Sequence, residues 1–243
     1  MSITVAFIPA RGGSTRIPRK NLASVGGVSL LGRTVLAARD AGCDRIVVST
    51  DDGEIAALAS SYGTEVHQRP ANLAGPHAQI EDAIAHWMHR QAPALADDDV
   101  IVLLQPTSPF RRVETVRRCI DLVTGGCDSS LTVRLDRRAP FRGGRCHAIE
   151  GDRVKVGAVV RAMWDRPHGW TRTRSQDVRL APEETGGVYA FTAGHFRRTR
   201  SRMGGNEACV VVDWIEALEI DTPTDLELAR ILAPHVERLR AAA

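Results

Sequence analysis

The chain has 243 residues, of which 43% are hydrophobic and 25% are charged, as in an ordinary globular protein with a buried core. Its net charge is only +3, which suits small polyanionic ligands and does not require nucleic acid. No apolar run approaches the roughly 20 residues that a membrane span needs. The five cysteines show no CxxC or metal-like spacing, which predicts free thiols in a reducing cytoplasm.

Strand and helix patterns alternate along the first half of the chain. Residues 3–9 predict a first strand rather than a signal peptide, and a Gly-rich basic loop follows over 10–21. Further strands are predicted over 45–50, 64–67, 100–104 and 129–133, and helices around 31–41, 55–62, 79–91 and 113–123. The alternation predicts an α/β fold, a doubly wound and largely parallel sheet with helices on both faces.

The pattern breaks in the second half of the chain, where Arg and Gly are frequent and periodicity is weak. We predict one domain over 1–243 with a small inserted subregion at about 136–180, which forms an antiparallel excursion or a dimer arm. Residues 187–192 predict a returning strand. The sequence TPTD at 222–225 combines an N-cap, a proline at the first helical position and an acid, and predicts a final helix that Pro234 interrupts or ends.

The loop after the first predicted strand concentrates cations around a glycine pair. Arg11, Arg16 and Lys20 surround Gly12 and Gly13. Paired glycines let backbone amides approach a ligand closely, and such amides beside cations bind phosphates. A solvated basic turn is the alternative, but the position directly after strand one favours a triphosphate site. The loop is neither GxxxxGK[ST] nor GxGxxG, which disfavours a Walker ATPase and a nicotinamide dehydrogenase.

Two carboxylates near the end of the chain form a second candidate site. Glu219 and Asp221 are two residues apart, so on a strand both would point to one side. Mg²⁺ prefers oxygen ligands, usually one or two carboxylates with phosphate and water. The pair therefore predicts a magnesium site. The alternative is a solvent-facing strand end whose Asp221 caps the last helix.

Histidine and serine residues offer less specific signals. His77, His86 and His89 lie on or beside one predicted helix, where surface or satisfied histidines are expected more often than ligands. Ser14 has no His or Asp partner in a recognisable context, so a hydrogen bond to phosphate is expected rather than a nucleophile.

Six segments occur in the order and spacing of one enzyme family. They are IPARGGSTRIPRKN at 8–21, VSTDD at 48–52, RPANLA at 69–74, LQPTSP at 104–109, RSQD at 174–177 ahead of GVY at 187–189, and EIDTP at 219–223. From residue 3 to about 232 the chain thereby resembles the acylneuraminate cytidylyltransferases, the CMP-sialic acid synthetase family. The resemblance implies a Rossmann-like fold of the nucleotide-diphospho-sugar transferase type.

The resemblance also implies residue roles. Nucleotide binding is implied for Arg11, Gly12, Gly13, Ser14, Arg16, Lys20, Asn21 and Arg69. Acceptor binding is implied for Gln105, Arg174 and Gln176, and magnesium binding for Glu219 and Asp221. Arg11, Lys20 and Asp221 would be catalytic, with Lys20 at the charge that develops on the α-phosphate.

The implied reaction is transfer of CMP from CTP to an acidic acceptor, a sialic-acid-like nonulosonic acid, by direct attack of the acceptor hydroxyl. A KDO-like sugar acid or a small phosphonate is the alternative acceptor, because the extra arginines between 137 and 145 would suit a compact anion. The resemblance further implies Mg²⁺ as cofactor and a cytoplasmic homodimer. No nucleic-acid or membrane partner is predicted.

Three residues depart from the family pattern. Thr15 stands where the usual loop has Lys, and Gln79 and Ile80 stand where many relatives carry small hydroxyl residues. Thr15 alone favours a non-catalytic nucleotide-binding protein, whereas the intact Lys20 argues against it. A nucleic-acid-binding function is disfavoured because only 5% of residues are aromatic and no RNP-like strand occurs. The sequence does not identify a general base.

Overall fold

The structure, a computed structural model, describes residues 2–90, 94–136, 145–150, 153–159 and 181–241. The strands are β1 (Thr4–Pro9), β2 (Ser24–Val25), β3 (Val28–Ser29), β4 (Arg45–Thr50), β5 (Glu65–Gln68), β6 (Val100–Leu103), β7 (Ser129–Asp136), β8 (Arg145–Glu150), β9 (Arg153–Val159), β10 (Ala181–Thr192) and β11 (Glu207–Val211). The helices are α1 (Leu30–Asp40), α2 (Gly53–Ser61), α3 (Ile80–Arg90), α4 (Val113–Thr124), α5 (Ala193–Thr199) and α6 (Pro223–Ala241), with short 3-10 helices at Lys20–Leu22 and Ala71–Leu73. Among these helices none is long and apolar enough to cross a membrane.

A seven-stranded sheet with the order β11-β7-β10-β6-β1-β4-β5 forms the centre of the described chain. Strand β10 runs antiparallel to β6 and β7, whereas all other neighbours in this sheet are parallel. Because β1 lies between β6 and β4, the carboxyl end of β1 is a switch point, where open α/β sheets bind ligands. The prediction of a doubly wound, largely parallel sheet is confirmed.

Apolar side chains form a separate core on each face of the sheet. Phe7 packs with Trp87 of α3 and Phe196 of α5 in one core, and Ile8 packs with Val35 of α1 in the other. Phe7 and Ile8 are neighbours on β1 and face opposite sides, as the two-residue period of a strand requires. Burying side chains of this size stabilises the fold by about 1.5–3 kcal/mol each. Both cores therefore hold β1, and the loop that leaves it, in a fixed position.

A third apolar cluster brings the end of the chain to the loop after β1. Ile17 of that loop, Ile220 between the two acids and Leu226 of α6 are buried together. Ile220 is completely buried, and its amide donates a 2.8 Å hydrogen bond to the carbonyl of Thr107. Hydrophobic burial thus places residues 219–221 against the basic loop.

Two predictions about the end of the chain are wrong in detail. Residues 219–221 are not a strand, although the buried Ile220 still turns the flanking carboxylates away from the core. Helix α6 continues through Pro234 to Ala241 instead of ending at the proline. Val236, beyond the proline, is buried in the third cluster, and this burial offsets the backbone hydrogen bond that a proline cannot make.

The sequence reading missed the β2–β3 hairpin, helix α5 and strand β11. The hairpin strands have two residues each, α5 has seven and β11 has five. Segments this short contain too few residues to establish a period of 2 or 3.6. Their places in the fold come from pairing and packing instead, since β11 pairs with β7 at the sheet edge and Phe196 of α5 is buried.

The predicted subregion at 136–180 lies only partly within the described residues. Strands β8 and β9 pair antiparallel there, and β9 lies beside β11 of the main sheet. The antiparallel pair agrees with the predicted excursion, whereas the division into one domain and a dimer arm stays a prediction.

Candidate active site

The loop after β1 is fixed by the acids that follow β4. Asp51 accepts a 2.9 Å hydrogen bond from the amide of Gly12. A Cβ on Gly12 would lie 2.7 Å from the Cβ of Asp52, so this close approach requires glycine. Gly13 is exposed, and within the described residues its amide makes no hydrogen bond, while the next amide, that of Ser14, bonds back to the Gly12 carbonyl. Gly13 rather than Gly12 therefore offers a free amide to an anion.

Lys20 joins the basic loop to the acidic pair. Its Nζ donates to the carbonyl of Ile220 at 2.9 Å and to Oδ1 of Asp221 at 3.3 Å. The exposed Arg16 guanidinium lies 4.0 Å from the same Asp221 oxygen. The side chain of Lys20 is 17% exposed and that of Asp221 is 52% exposed, so Asp221 faces solvent while Lys20 is largely enclosed. The two candidate sites, which lie about 200 residues apart in the sequence, therefore meet in the fold.

Glu219 is the more buried member of the acidic pair. Burial raises its pKa, and the negative charges of Asp221 and Glu184 raise the pKa further, whereas a hydrogen bond from the Gly186 amide and the charge of Lys20 lower it. A Cβ on Gly186 would lie 2.0 Å from Oε1 of Glu219, so any other residue at this position would displace the carboxylate from where it lies against β10. The glycine therefore shapes the space in which Glu219 sits.

The acidic pair fits a magnesium ion that is shared with a phosphate group. Glu219 and Asp221 repel each other electrostatically, and a divalent cation would relieve this repulsion. Within the described ranges, no group of three or more His, Cys, Asp or Glu side chains is arranged to hold a metal ion. The protein would thus supply two carboxylates and leave the other positions to phosphate oxygens and water, which is the usual arrangement for Mg²⁺.

Arg11 and Arg69 lie on the other side of the loop. Arg11 donates to the carbonyl of Gly75 at 2.8 Å, and its own carbonyl accepts from the buried side chain of Asn21 at 2.9 Å. Burial lowers the pKa of Arg69, as does the positive charge of Arg11, whereas Asp51 raises it. Two guanidinium groups within electrostatic reach of each other make this side of the loop suitable for an anion. Asn21 holds the loop backbone, and its implied part in nucleotide binding stays a prediction.

A buried chain of hydrogen bonds fixes the position of Arg69. Its Nε and Nη2 donate to the side chain and the carbonyl of Ser49 at 3.0 and 2.9 Å. Ser49 Oγ lies 2.9 Å from Nδ1 of His67, and Nε2 of His67 lies 2.9 Å from Nδ1 of His86. His86 is therefore a satisfied histidine, as predicted. His77 and His89 are exposed, also as predicted.

The stability of this region is expected to depend on pH through His67. Burial and the positive charges of His86, Arg69 and Arg90 lower the pKa of His67 from 6.5 to about 4. The unfolded chain therefore binds this proton at a higher pH than the folded chain, so the stabilisation is complete above 6.5 and is lost as the pH falls towards 4. We expect this site to change the free energy of unfolding by on the order of 1–2 kcal/mol across that window, because solvent screens part of the interaction of the half-buried ring.

Urea denaturation between pH 7 and 4.5 measures this effect. His67→Gln should flatten the pH dependence, because glutamine keeps a polar partner for Ser49 and does not titrate. His89→Gln is the matched control, since His89 is exposed, and it should leave the slope unchanged. Equal slopes in the native chain and in both variants would contradict the assignment to His67.

Gln105 lies between the acidic pair and β10. Its Nε2 would be 3.1 Å from a Cβ on Gly186, and its carbonyl accepts a 2.6 Å hydrogen bond from Arg111. Arg111 is buried and also donates to the carbonyl of Gly187 at 2.7 Å. Burial lowers the pKa of Arg111 to about 10, while the charges of Glu216 and Glu219 act in the opposite direction. Arg111 thus stays charged at neutral pH and fastens Gln105 to β10.

A second set of polar side chains extends from Glu219 to the first turn of α3. The Tyr189 hydroxyl donates to Glu184, and the guanidinium of Arg202 stacks 4.5 Å from the centre of the Tyr189 ring. Arg202 donates to Glu81 at 2.7 Å. These side chains continue the site from Glu219 towards α3.

Two predicted site residues, Arg174 and Gln176, lie outside the described residues. The sequence predicted Asp51 or Asp52 only as the cap of the next helix and gave no role to Arg111, although all three hold the loops of the site in place. Each of them lies in or next to a segment that follows a strand, and position at the carboxyl edge of the sheet is the signal that could have found them.

Known proteins are similar to this chain over most of its length. The sequence model described as cytidylyltransferase matches residues 5–124. The CMP-N,N'-diacetyllegionaminic acid synthase of Legionella pneumophila is 38% identical over 239 residues, which cover 94% of this chain and 95% of that protein. The chain belongs to the cytidylyltransferase family. Its predicted membership among the acylneuraminate cytidylyltransferases is confirmed.

Two further proteins are similar to this cytidylyltransferase, one in sequence and one in structure. The 3-deoxy-manno-octulosonate cytidylyltransferase of Anaeromyxobacter sp. (strain K) is 30% identical over 257 residues, which cover 96% of this chain and 98% of that protein. Among solved structures, CMP:2-keto-3-deoxy-manno-octonic acid synthetase complexed with CTP superposes with a TM-score of 0.69 at 18% identity and covers 96% of this chain and 99% of its own. The structural likeness confirms the predicted nucleotidyltransferase fold.

Proposed function

We propose that this cytidylyltransferase transfers CMP from CTP to a sialic-acid-like nonulosonic acid and releases pyrophosphate. The observation that carries the proposal is the 3.3 Å contact between Lys20 of the glycine-bearing loop and Asp221 of the acidic pair. Phosphate-binding cations and metal-binding acids thus occupy one place at a sheet switch point. Similarity to a CMP-N,N'-diacetyllegionaminic acid synthase over nearly the whole chain supports the nonulosonic acceptor.

The chain's own residues act mainly by positioning and by neutralising charge. Lys20, held by the Ile220 carbonyl, stands ready for the negative charge that develops at the α-phosphate. Arg11 and Arg69 neutralise the remaining phosphates from the opposite side of the loop, and the free amide of Gly13 adds a backbone donor. The acceptor hydroxyl attacks the α-phosphate directly, so no covalent enzyme intermediate is needed.

The other proposed contacts of the nucleotide are local to the loop. Ser14 and Arg16 reach phosphate oxygens, Gly12 keeps the loop against Asp52, and Asn21 holds the carbonyl of Arg11. Glu219 and Asp221 would hold Mg²⁺, which when bound would offset the charge of the triphosphate. The acidic pair also keeps Lys20 in place through Asp221.

The acceptor lies on the β10 side of the acidic pair. Gln105 contacts it from the loop after β6, where Arg111 fixes the backbone. Arg174 and Gln176 complete this pocket by resemblance alone. The enzyme acts as a cytoplasmic homodimer in which the subregion at 136–180 reaches the partner. Light scattering of the purified protein tests the dimer, and a monomer mass would contradict it.

A panel of acceptors with CTP tests the reaction through pyrophosphate release. We expect turnover with legionaminic, pseudaminic or N-acetylneuraminic acid, and with CTP in preference to UTP, GTP and ATP. Release of pyrophosphate in the absence of an acceptor would contradict the proposal. Failure of every nine-carbon acid to support release would contradict it as well. Direct detection of the CMP-sugar by mass spectrometry excludes simple CTP hydrolysis.

A KDO-like acid is the second candidate acceptor. The 30% identity to a 3-deoxy-manno-octulosonate cytidylyltransferase favours it, as does the likeness of fold. The same panel decides between the two, because kcat/KM for the eight-carbon acid would then exceed that for each nine-carbon acid. Turnover with a phosphonate in place of any sugar acid would replace both.

Replacement of Gly186 by alanine is expected to impair the acidic pair. The new Cβ would lie 2.0 Å from Oε1 and 3.0 Å from Cδ of Glu219, so this carboxylate must move. Disturbing the support of a metal ligand typically lowers metal affinity or activity 10–100-fold, and we expect an effect of about that size. Turnover measured against Mg²⁺ concentration should show a higher half-saturation point.

Gly53→Ala provides the matched control, because a Cβ there meets no atom within 4 Å. This variant should keep both the activity and the Mg²⁺ dependence of the native enzyme. Native behaviour of Gly186→Ala would show that the position of Glu219 has no part in the reaction.

A further inference from the structure

A cleft of about 490 Å³ opens between the edge strand β5 and helix α3. His67, Arg69, His86, Trp87 and Arg90 line it, whereas the loop after β1 and the acidic pair do not. The volume lies within the range of about 300–1,000 Å³ that small-ligand sites occupy. The proposed reaction uses this cleft only through Arg69, whose guanidinium is shared between the two sites.

The hydrogen-bond chain behind Arg69 begins at a group that can only donate, so Ser49 Oγ accepts from Arg69. Within the described residues Nδ1 of His67 is the acceptor available to the hydrogen of this hydroxyl, and the opposite direction would leave that buried hydrogen without a partner. The favoured direction therefore puts the hydrogen of His67 on Nε2, which donates to Nδ1 of His86. His86 then carries its hydrogen on Nε2 and ends the chain as a donor.

The charges around the cleft are unbalanced. Glu65 is the acid among the lining residues, and both of its oxygens accept hydrogen bonds from Arg45, at 2.7 and 2.8 Å. Arg90 forms no ion pair or hydrogen bond with any residue that the structure describes. Its charge is felt at His67, where it lowers the pKa together with Arg69. Two groups that can bind an anion therefore line the same cleft. They are the guanidinium of Arg90, which has no acidic partner among the described residues, and Nε2–H of His86.

We propose that this cleft binds a phosphate-type oxyanion through Nε2–H of His86 and the guanidinium of Arg90. A phosphate monoester accepts several hydrogen bonds and pairs with a guanidinium. Val66 and Pro70, which line the cleft and are partly exposed, provide apolar surface for the organic part of a phosphorylated metabolite. Free phosphate and a sugar monophosphate share the recognised group, and the cleft volume favours the larger of the two.

Occupancy of the cleft is coupled to the nucleotide side of the enzyme. An anion that accepts from His86 polarises the whole chain, which ends with Arg69 donating to Ser49. The anion thereby strengthens the bond that already holds Arg69. This coupling rests on the proposed function, in which Arg69 contacts the nucleotide, whereas binding of the anion itself does not.

Histidine ring NMR of the full chain without CTP tests the site. Long-range proton–nitrogen correlations should report the Nε2–H tautomer for both His67 and His86. Titration with inorganic phosphate, and separately with glucose 6-phosphate, should shift the His86 Nε2 resonance to saturation. An Nδ1–H tautomer at His86, or no shift with either compound, would overturn the proposal.

Three variants assign the binding. Arg90→Met and His86→Phe should each weaken the anion at least about tenfold, the loss expected for a charge-assisted hydrogen bond, as followed by titration calorimetry. His89→Phe, one turn away on the exposed face of α3, is the control and should bind as the native chain does. Equal affinity in the native chain and in all three variants would mean that the anion binds elsewhere, for example at the loop after β1, and would contradict the proposal. Should His86→Phe fail to fold, Arg90→Met decides alone, because the exposed Arg90 is free to change.

Steady-state kinetics then test the coupling separately. Saturating glucose 6-phosphate should change the KM for CTP about twofold or more in the native enzyme, with no change in Arg90→Met. Binding without this kinetic effect would keep the site and remove the coupling. If the enzyme proved inactive with every acceptor, the NMR and calorimetric results would still stand, so the two proposals fail independently.

Discussion

Asp221→Asn is expected to lower kcat by about 10²–10³-fold while the protein stays folded, a loss of the size seen when one preorganised electrostatic contact to a transition state is removed. Asparagine has nearly the shape of aspartate and can still accept from Lys20. It lacks the negative charge, however, that would hold Mg²⁺ opposite Glu219. The side chain is half exposed, so the substitution disturbs no buried contact. Pyrophosphate release at saturating CTP measures the loss, and circular dichroism confirms the fold.

Glu227→Gln is the control for Asp221→Asn. Glu227 is an exposed acid on α6 and pairs with Arg230 three residues along the helix. Its replacement removes the same charge near the site without touching Lys20 or Glu219, and activity should stay at the native level. Full activity of Asp221→Asn would refute the assignment of the acidic pair to the metal.

Lys20→Met is expected to lower kcat/KM for CTP by about 10²–10³-fold. Methionine keeps the apolar stem of lysine but lacks the ammonium group. That group donates to the Ile220 carbonyl and to the Asp221 carboxylate. Loss of the hydrogen bond to the Ile220 carbonyl costs about 1–2 kcal/mol of stability, which should leave the fold intact. Single-turnover kinetics with CTP and the best acceptor separate the loss in chemistry from a loss in binding.

Two further substitutions are controls for the effect of Lys20→Met on activity. Arg238→Met removes a cation from the exposed end of α6 and should be silent. Among the described residues its guanidinium bonds to Pro234 and His235 of the same helix. Lys20→Arg retains the charge but replaces a compact ammonium by a planar fork, so partial activity is expected. If Lys20→Met were as active as Arg238→Met, the loop would have no part in charge neutralisation.

Local patterns predicted most of the sheet and its helices. Helix α2 begins after Asp52, whose side chain accepts from the amides of Glu54 and Ile55, and this cap is visible in the sequence. The basic loop is equally local, because its glycines and cations are consecutive residues. The direction of a strand in a sheet is not a local property. That β10 runs antiparallel to β6 and β7 is seen only in the folded sheet.

The supports of the site could not be read from the sequence for the same reason. Gly186 looks like any strand glycine until its Cα is seen against Glu219. Arg111 looks like a surface arginine, yet it is buried and holds the carbonyls of Gln105 and Gly187. Such requirements arise from contacts between distant segments, and no periodicity within either segment records them.

The sequence by itself determined the α/β class, the cationic glycine loop, the acidic pair and the family of the enzyme, because each is carried by neighbouring residues. Only the tertiary structure decided that Lys20 meets Asp221, that Gly13 rather than Gly12 has the free amide, and that α6 passes through Pro234. The physical reason is the third apolar cluster. Burial of Ile17 beside Ile220 fixes the distance between a loop and an acidic segment that the chain places at its two ends.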